Sequence, residues 1–260
     1  MPNLSNKITP ILANSLARSY SPLLYPKKLR ELLEAIVPGS NYSAFDKYSL
    51  HLEVNRLLCG NYRGEELIKY QIAKRYLLKD TVAAFEIRVG ESRADFASIN
   101  GVSRCYEIKT ALDNLDKLDK QSLDYTSVFE YNTIILDEKH LSRAERDLPS
   151  GYGIMVIGKN ALKQHRKALK NDKICSLCQL EMLTAKELTL FFGGKRDDLE
   201  SISLETKPAM INKKFKLALK KRYQDKWNFV REHHGQILPI DFQFFFSTQE
   251  QPSLLYQKNF

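Results

Sequence analysis

The feature that most constrains this chain is the stretch RADFASINGVSRCYEIK at residues 93–109. Two strand-like segments flank an Asn-Gly pair, which favours a turn because both residue types tolerate positive φ. Asp95 lies near the start of the first segment, and Glu107 and Lys109 end the second. Side chains two residues apart in a strand share one face, so Glu107 and Lys109 point to the same side. This pattern predicts a site that binds a divalent metal and positions a water molecule.

The geometry of the turn decides whether Asp95 shares that face. A strict two-residue turn pairs Ile99 with Val102, which places Asp95 opposite Tyr106. A one-residue bulge or a three-residue loop instead places Asp95 opposite Glu107, because a slip of one residue flips the faces of a strand. A shared site therefore predicts a bulge or a longer loop in this hairpin.

Several motifs surround the hairpin, and together they resemble a known superfamily. In chain order they are Tyr62-Arg63-Gly64-Glu65, Glu86-x-x-x-Gly90-x-Ser92-Arg93-Ala94-Asp95, Asn100-Gly101, Tyr106-Glu107-Ile108-Lys109-Thr110, Asp113-x-Leu115 and Gln121-x-x-x-Tyr125. Residues 60–140 resemble the PD-(D/E)xK (restriction-endonuclease-like) nucleases, and more closely a bacterial family of small, uncharacterised members. Ala94 stands where the superfamily name has proline, and that proline is often absent.

The resemblance implies an α/β fold with an αβββαβ core, a mixed sheet, a helical N-terminal extension and a basic, mainly helical C-terminal region. It also implies a phosphodiesterase that uses Mg²⁺ or Mn²⁺. Asp95 and Glu107 are the expected oxygen ligands, with the Ile108 carbonyl as a third and Glu65 completing the metal shell. Lys109 is expected to orient the water or to stabilise the transition state, assisted by Gln121.

Apolar periodicity predicts the elements of the rest of the chain. Helices are expected within residues 1–60, over 62–78, over 113–129, between 137 and 152, over 163–173, over 176–192 and over 211–232. Strands are expected over 82–89, 94–99, 103–109, 131–137 and 152–158. These elements divide the chain into a helical N-terminal extension at 1–60, a nuclease-like core at 61–158 and a basic, helical region at 159–260.

The composition excludes several classes of protein. With 260 residues, 43% hydrophobic and 27% charged, the chain is expected to fold as one large domain or as a compact domain with appendages. It contains no apolar run of about 18 residues and no recognisable secretory signal, so no membrane association is expected. Four cysteines do not make a disulfide framework, which favours a reducing cytoplasm.

The net charge of +9 is concentrated in residues 207–231, which contain nine lysines and arginines and one aspartate. Such a block favours a polyanionic partner, although a solvated helix face explains it equally well. Nucleic acid is therefore the expected partner, and the resemblance favours DNA over RNA. The candidate contacts are Arg88, Arg93, Tyr125, Lys213, Lys214, Lys216, Lys220, Lys221 and Arg222.

Each motif taken alone is weaker evidence for a nuclease than the motifs taken together. An acid-x-Lys triplet also occurs at 137–139 and 205–207. Glu65 and its neighbour Glu66 suit the first turn of a helix by charge alone, and Gln121 with Tyr125 fits an ordinary helix edge. Glu86 is either a site residue or a buried structural acid, and the sequence leaves both open.

Two further pairs of residues are interpreted as structural. Cys175-x-x-Cys178 has the spacing of zinc ligands, but no second pair accompanies it, which favours two small buried side chains. His233-His234 follows the basic helix, where it is interpreted as a C-terminal cap.

The favoured function is a metal-dependent nuclease in a defence, mobile-element or repair context, as the resemblance implies. The alternative is a catalytically inactive nucleic-acid-binding or protein-interaction module on the same fold. An RNA-cleaving toxin is a third hypothesis. A homodimer is one expected assembly, because many members of the superfamily pair to cut both strands.

Overall fold

The structure of this protein is a computed structural model that describes residues 8–77, 80–158 and 161–257. Its helices are α1 Pro10–Ser19, α2 Pro26–Ile36, α3 Lys47–Asn61, α4 Glu65–Ala73, α5 Leu118–Thr126, α6 Leu141–Asp147, α7 Ser176–Glu181, α8 Ala185–Phe192, α9 Leu199–Glu205, α10 Pro208–His233, α11 Phe242–Thr248 and α12 Pro252–Gln257. Its strands are β1 Val82–Val89, β2 Ser92–Asn100, β3 Val102–Lys109, β4 Tyr131–Leu136, β5 Gly153–Ile157 and β6 Leu162–Arg166.

The described strands form one six-stranded mixed sheet in the order β1-β2-β3-β4-β5-β6. The pairs β1–β2, β2–β3 and β5–β6 are antiparallel, whereas β3–β4 and β4–β5 are parallel. Helix α5 connects the parallel strands β3 and β4, as a crossover connection requires. The predicted α/β class and mixed sheet are confirmed.

The chain groups into two compact units. The first, which we call the helical unit, comprises residues 8–72 and 229–257. Its core contains Leu16, Leu33, Leu50, Val54 and Leu58, all fully buried. The second, which we call the sheet unit, comprises the described residues between 73 and 228 and contains the whole sheet. The division predicted from the sequence has boundaries at residues 60 and 158, which differ from the boundaries of these units after residue 72 and before residue 229.

The hairpin between β2 and β3 has the longer loop that a shared site requires. Ile99 pairs with Ser103, and the register continues to Phe96 opposite Tyr106. One residue further, the same register places Asp95 opposite Glu107. Gly101, at the tip of the loop, has φ +68, a left-handed conformation that glycine adopts without steric cost.

Several predicted helices are shorter than expected. The helix expected over 62–78 is α4, and Leu78 lies outside the described residues. The helix expected from Asp113 begins at Leu118, because the Asp113 carboxylate accepts hydrogen bonds from the Thr110 backbone N–H and hydroxyl, both at 2.7 Å. The helix expected over 176–192 is two helices, α7 and α8.

The helix predicted over 163–173 is wrong. Residues Leu162–Arg166 form strand β6 at the edge of the sheet, and residues 167–175 have no regular structure. Strand β6 supplies the hydrogen-bonding partner that the free side of β5 needs. Lys163 and Arg166 lie on this edge strand, where charge discourages pairing with other chains.

Several aromatic residues of the C-terminal tail are buried. Phe242, Phe245 and Phe246 of α11 are buried in the helical unit, as is Tyr256 of α12. Nowhere in the described residues is a helix both long enough and apolar enough to cross a membrane.

Candidate active site

The candidate site lies where β2 and β3 face each other in the sheet unit. Asp95 and Glu107 are both buried, and the Asp95 carboxylate accepts a hydrogen bond of 2.6 Å from the Ile108 backbone N–H. This contact holds the Asp95 side chain against the end of β3, beside the residue that follows Glu107. The Asp95 carboxylate therefore lies against the backbone of β3 next to Glu107.

Glu107 is bound by three side chains that were predicted to belong with it. The Lys109 ammonium donates to Oε1 at 2.8 Å, and the Gln121 amide donates to the same oxygen at 2.5 Å. The Tyr125 hydroxyl donates to Oε2 at 2.8 Å. Gln121 and Tyr125 are one turn apart on α5, so this helix holds the Glu107 carboxylate in one orientation.

Burial and charge act against each other on Glu107. Burial raises the pKa of the Glu107 carboxyl above its ordinary value, while the Lys109 ammonium and the hydrogen bonds from Tyr125 and Gln121 oppose that rise. Burial also raises the pKa of the Tyr125 hydroxyl, and the adjacent Glu107 charge adds to the effect. Tyr125 therefore stays protonated and acts as a hydrogen-bond donor.

Glu86 joins this site, which the sequence had left open. It lies in β1 between the pairs Phe85–Phe96 and Ile87–Ala94, which places it opposite Asp95. Oxygen atoms of the Glu86 and Asp95 carboxylates lie within 4.8 Å of each other.

The backbone of Glu86 is unusual for a strand. Its φ is 56, in the left-handed region that a residue with a side chain rarely adopts. The Glu86 carboxylate also forms a 2.6 Å ion pair with Arg93. Glu86 can be recognised in the sequence because it is an acid within the otherwise mostly apolar strand VAAFEIRV.

The chemistry of these groups fits a hard divalent cation. Asp95, which is buried, and Glu86, which is half-buried, bring two carboxylates close together, where a cation would offset their mutual repulsion. In addition, Gln121 Oε1 is buried and has no hydrogen-bond partner among the described residues, so it is an acceptor that a bound water or substrate group can satisfy.

Glu65, the other predicted ligand, is the first residue of α4 and belongs to the helical unit. It forms an ion pair with Lys69 one turn further along the helix. Its role in the metal shell stays a prediction.

The predicted nucleic-acid contacts differ in exposure, and Tyr125, which is fully buried and donates to Glu107, is not open to nucleic acid. Arg88, Arg93, Lys213 and Lys221 are exposed, while Lys214 and Lys220 are half-buried. Lys214 lies over the Phe192 ring, 4.8 Å from its centre.

Besides Arg93, which pairs with Glu86, two of the predicted contacts are already neutralised within the protein. The Lys216 ammonium lies 3.0 Å from the Glu130 carboxylate and donates to the Gly101 carbonyl at 2.7 Å. Arg222 donates to Glu187 at 2.8 Å from its Nε and to the Met182 carbonyl at 2.9 Å. These contacts give both side chains a structural role that the sequence did not reveal.

The fold and the site define an α/β protein whose mixed sheet carries buried acids beside a lysine. The chain belongs to the bacteriophage P4 protein cII family, whose model matches residues 62–245. Protein cII of Enterobacteria phage P4 is 28% identical in an alignment of 178 positions that covers 62% of this chain and 67% of that protein.

A solved structure, the SPO1766 protein of unknown function from Silicibacter pomeroyi, aligns at 15% identity with a TM-score of 0.31. The alignment covers 39% of this chain and 68% of that one.

Proposed function

We propose that this protein is a divalent-metal-dependent nuclease that hydrolyses phosphodiester bonds, with DNA favoured over RNA. The observation that carries the proposal is the Glu107 carboxylate, buried and held by Lys109, Gln121 and Tyr125, with Asp95 opposite it in the hairpin. The PD-(D/E)xK resemblance implies this arrangement, in which Lys109 and Glu107 of β3 form an ion pair and the buried Asp95 lies on the neighbouring strand β2.

The element order supports the same proposal. Helix α4 is followed along the chain by β1, β2 and β3, then by α5 and β4, and β4 is parallel to β3. This is the αβββαβ order of the restriction-endonuclease-like core, which we propose for residues 61–158. The proposal extends to the cytoplasm as the place of action and to a homodimer as the active assembly.

In this proposal Asp95, Glu107 and the Ile108 carbonyl hold Mg²⁺ or Mn²⁺, with Glu86 beside them and Glu65 as a further ligand. A bound divalent cation lowers the pKa of its water and neutralises charge that develops on the phosphate. Lys109 carries its proton at Nζ next to Glu107, where it orients the attacking water or stabilises the charged transition state. Tyr125 and Gln121 fix the orientation of Glu107 from α5.

Substrate binding is proposed for the exposed basic side chains. Lys213 and Lys221 on α10 and Arg88 on β1 are available to phosphate groups. Lys216 and Arg222 are assigned to structure instead, because carboxylates already neutralise them.

The direct test is a cleavage assay with the purified full-length chain. Supercoiled plasmid, linear duplex and single-stranded DNA and RNA oligonucleotides are each incubated with Mg²⁺, Mn²⁺ or EDTA. We expect cleavage that requires the metal and is lost in Asp95→Asn. Lys207→Ala is the matched control, because Lys207 belongs to a chance acid-x-Lys triplet and is exposed.

Two outcomes would contradict the proposal. Full activity of Asp95→Asn would remove the metal site from the mechanism. Binding of nucleic acid with no cleavage under any of these conditions would favour the alternative of a catalytically inactive binding module.

A further inference from the structure

The two cysteines at the start of α7 lie unusually close together. Cys175 is the residue that caps the helix, and Cys178 lies one turn further on. Their sulfur atoms are 2.6 Å apart, compared with about 2.05 Å in a disulfide. Both residues are half-buried, and both carry free thiols. Their position makes them different from Cys59, which is exposed, and Cys105, which is fully buried.

A metal does not explain this pair. A structural zinc site needs four ligands, almost always from cysteine, histidine or carboxylates. Among the described residues, no third histidine, cysteine, aspartate or glutamate offers a ligand atom within 4.8 Å of both sulfur atoms. Simple core packing does not explain the pair either, because neither cysteine is fully buried.

We propose that Cys175 and Cys178 form a reversible dithiol that is oxidised to an intramolecular disulfide by exchange with a small-molecule disulfide. The Cys175 thiolate attacks one sulfur of the small disulfide, whose S–S bond breaks and releases one thiolate. Cys178 then gives its proton to water and attacks the Cys175 sulfur, which forms the protein disulfide and releases the second small thiolate. Two electrons pass from the protein to the small disulfide.

The hydrogen bonds support this order of events. The Cys178 backbone N–H donates to the Cys175 sulfur at 3.2 Å, which stabilises negative charge on Cys175. Burial and the contact with Cys175 raise the pKa of the Cys178 thiol to about 11, so Cys178 is the thiol that reacts second.

The dithiol is connected to the helix that holds the candidate site. The Cys175 backbone N–H donates to the carbonyl of Ser127, the residue that ends α5, at 2.8 Å. The Gln179 amide donates to the Val128 carbonyl at 2.9 Å. We therefore expect oxidation to act on the C-terminal end of α5, the helix that carries Gln121 and Tyr125. Only the consequence for cleavage depends on the proposed nuclease function.

The test is a redox titration of the full-length chain in glutathione buffers of rising oxidised fraction. Free thiols are trapped by alkylation, and the chain is then digested with trypsin. Both cysteines fall in one tryptic peptide, residues 174–186, which follows Lys173 and ends at Lys186. We expect this peptide to lose two hydrogens and resist alkylation, with half-conversion at a defined glutathione ratio.

Two variants act as controls in this titration. Cys59→Ser should titrate like the unchanged protein, whereas Cys178→Ser should carry glutathione on Cys175. The proposal is overturned if both cysteines remain open to alkylation at every ratio, if each carries glutathione separately, or if the purified protein contains one zinc per chain that protects them.

Amide hydrogen exchange of residues 118–128 tests the connection to α5. We expect a severalfold change in exchange rate between the reduced and the oxidised protein. If the disulfide forms and these rates do not change, the connection is wrong and the dithiol stands. None of these measurements uses nuclease activity, so they succeed or fail independently of the proposed function.

Discussion

The two units each bury a carboxylate against tyrosine hydroxyls, and the two carboxylates behave differently. In the sheet unit, Glu107 accepts from Tyr125 at 2.8 Å. In the helical unit, Asp241 accepts from Tyr256 at 2.7 Å and from Tyr20 at 3.0 Å. Burial raises the pKa of both carboxyl groups.

The difference between them is a cation. Glu107 has the Lys109 ammonium at 2.8 Å, which opposes the effect of burial on its pKa. Among the described residues, the hydrogen-bond donors to Asp241 are neutral, and burial raises its pKa to about 7. The nearby His51 does not replace a cation, because burial lowers its pKa to about 4 and leaves it neutral. A cation therefore opposes the effect of burial on the pKa of an acid, and a metal ligand must be charged.

Glu130 extends the comparison to a third case. Burial acts to raise its pKa, but the Ser103 backbone N–H and the Lys216 ammonium outweigh that effect and lower it. Glu130 thus has both a cation and a backbone donor, and its role is to bind α10 to the sheet.

The largest expected effect comes from removing the cation of the candidate site. We expect Lys109→Met to reduce metal-dependent cleavage by about a thousandfold, because it removes the group placed to stabilise the transition state. The pKa of the Glu107 carboxyl should also rise further. When the pH is lowered, any remaining activity should therefore disappear at a higher pH than in the unchanged protein. The pH dependence of the cleavage rate measures both effects.

Lys207→Met is the control for this variant, since it removes a lysine from an acid-x-Lys triplet outside the site. If Lys109→Met cleaves at the unchanged rate, the conclusion that the Lys109 cation distinguishes Glu107 from Asp241 in function is wrong.

The next effect concerns the acid that lacks a cation. Because the folded pKa of Asp241 lies near 7 and above its unfolded value, Asp241 favours folding at low pH, and this contribution is lost as the pH rises from about 4 through about 7. A pKa displacement of this size contributes at most about 4 kcal/mol to the free energy of unfolding. We expect Asp241→Asn to remove this part of the pH dependence, as measured by thermal unfolding at a series of pH values. Asp172→Asn, at a side chain that is 84% exposed, should leave the profile unchanged.

A smaller effect is expected at the ion pair between α10 and the sheet. Lys216→Met leaves the buried Glu130 without its cation, and we expect the free energy of unfolding to fall by about 2 to 3 kcal/mol. Lys213→Met removes an exposed lysine from the same helix and should change it by less than about 0.5 kcal/mol. Urea unfolding of both variants measures the difference, and equal stability would assign Lys216 to the surface after all.

The smallest effect is expected from removing one neutral donor. Tyr125→Phe leaves Glu107 with Lys109 and Gln121, so we expect cleavage to fall by about tenfold, equivalent to about 1.4 kcal/mol. Tyr256→Phe removes the matching hydroxyl from Asp241 in the helical unit and should leave the cleavage rate unchanged. A loss as large as that of Lys109→Met would mean that the tyrosine, and not the cation, controls the charge of Glu107.

Much of the candidate site follows from local sequence. The alternation around the Asn-Gly pair predicted the hairpin, and a shared site for Asp95 and Glu107 required either a one-residue bulge or a three-residue loop, of which the structure has the loop. The four-residue spacing of Gln121 and Tyr125 placed both on one face of a helix. These are short-range properties, because strand and helix periods decide which neighbouring side chains share a face.

Other features depended on partners distant in the chain. Strand β6 was predicted as a helix because its basic residues were judged on their own pattern, and only the free edge of β5 requires a strand there. Lys216 was assigned to nucleic acid, although its partner Glu130 lies 86 residues away. The spacing of residues within one helix or strand does not indicate a contact of this kind.

The sequence by itself determined that Glu107 and Lys109 share one face of a strand and that Gln121 and Tyr125 share one face of a helix, since strand and helix periods fix both. Whether Asp95 faces Glu107 depended on the loop of the hairpin, which the structure supplied. Only the tertiary structure decided which acids are buried, which of them have a cation, and which lysines are already neutralised. The charge of a buried group depends on everything packed around it, and that environment is assembled from segments far apart in the chain.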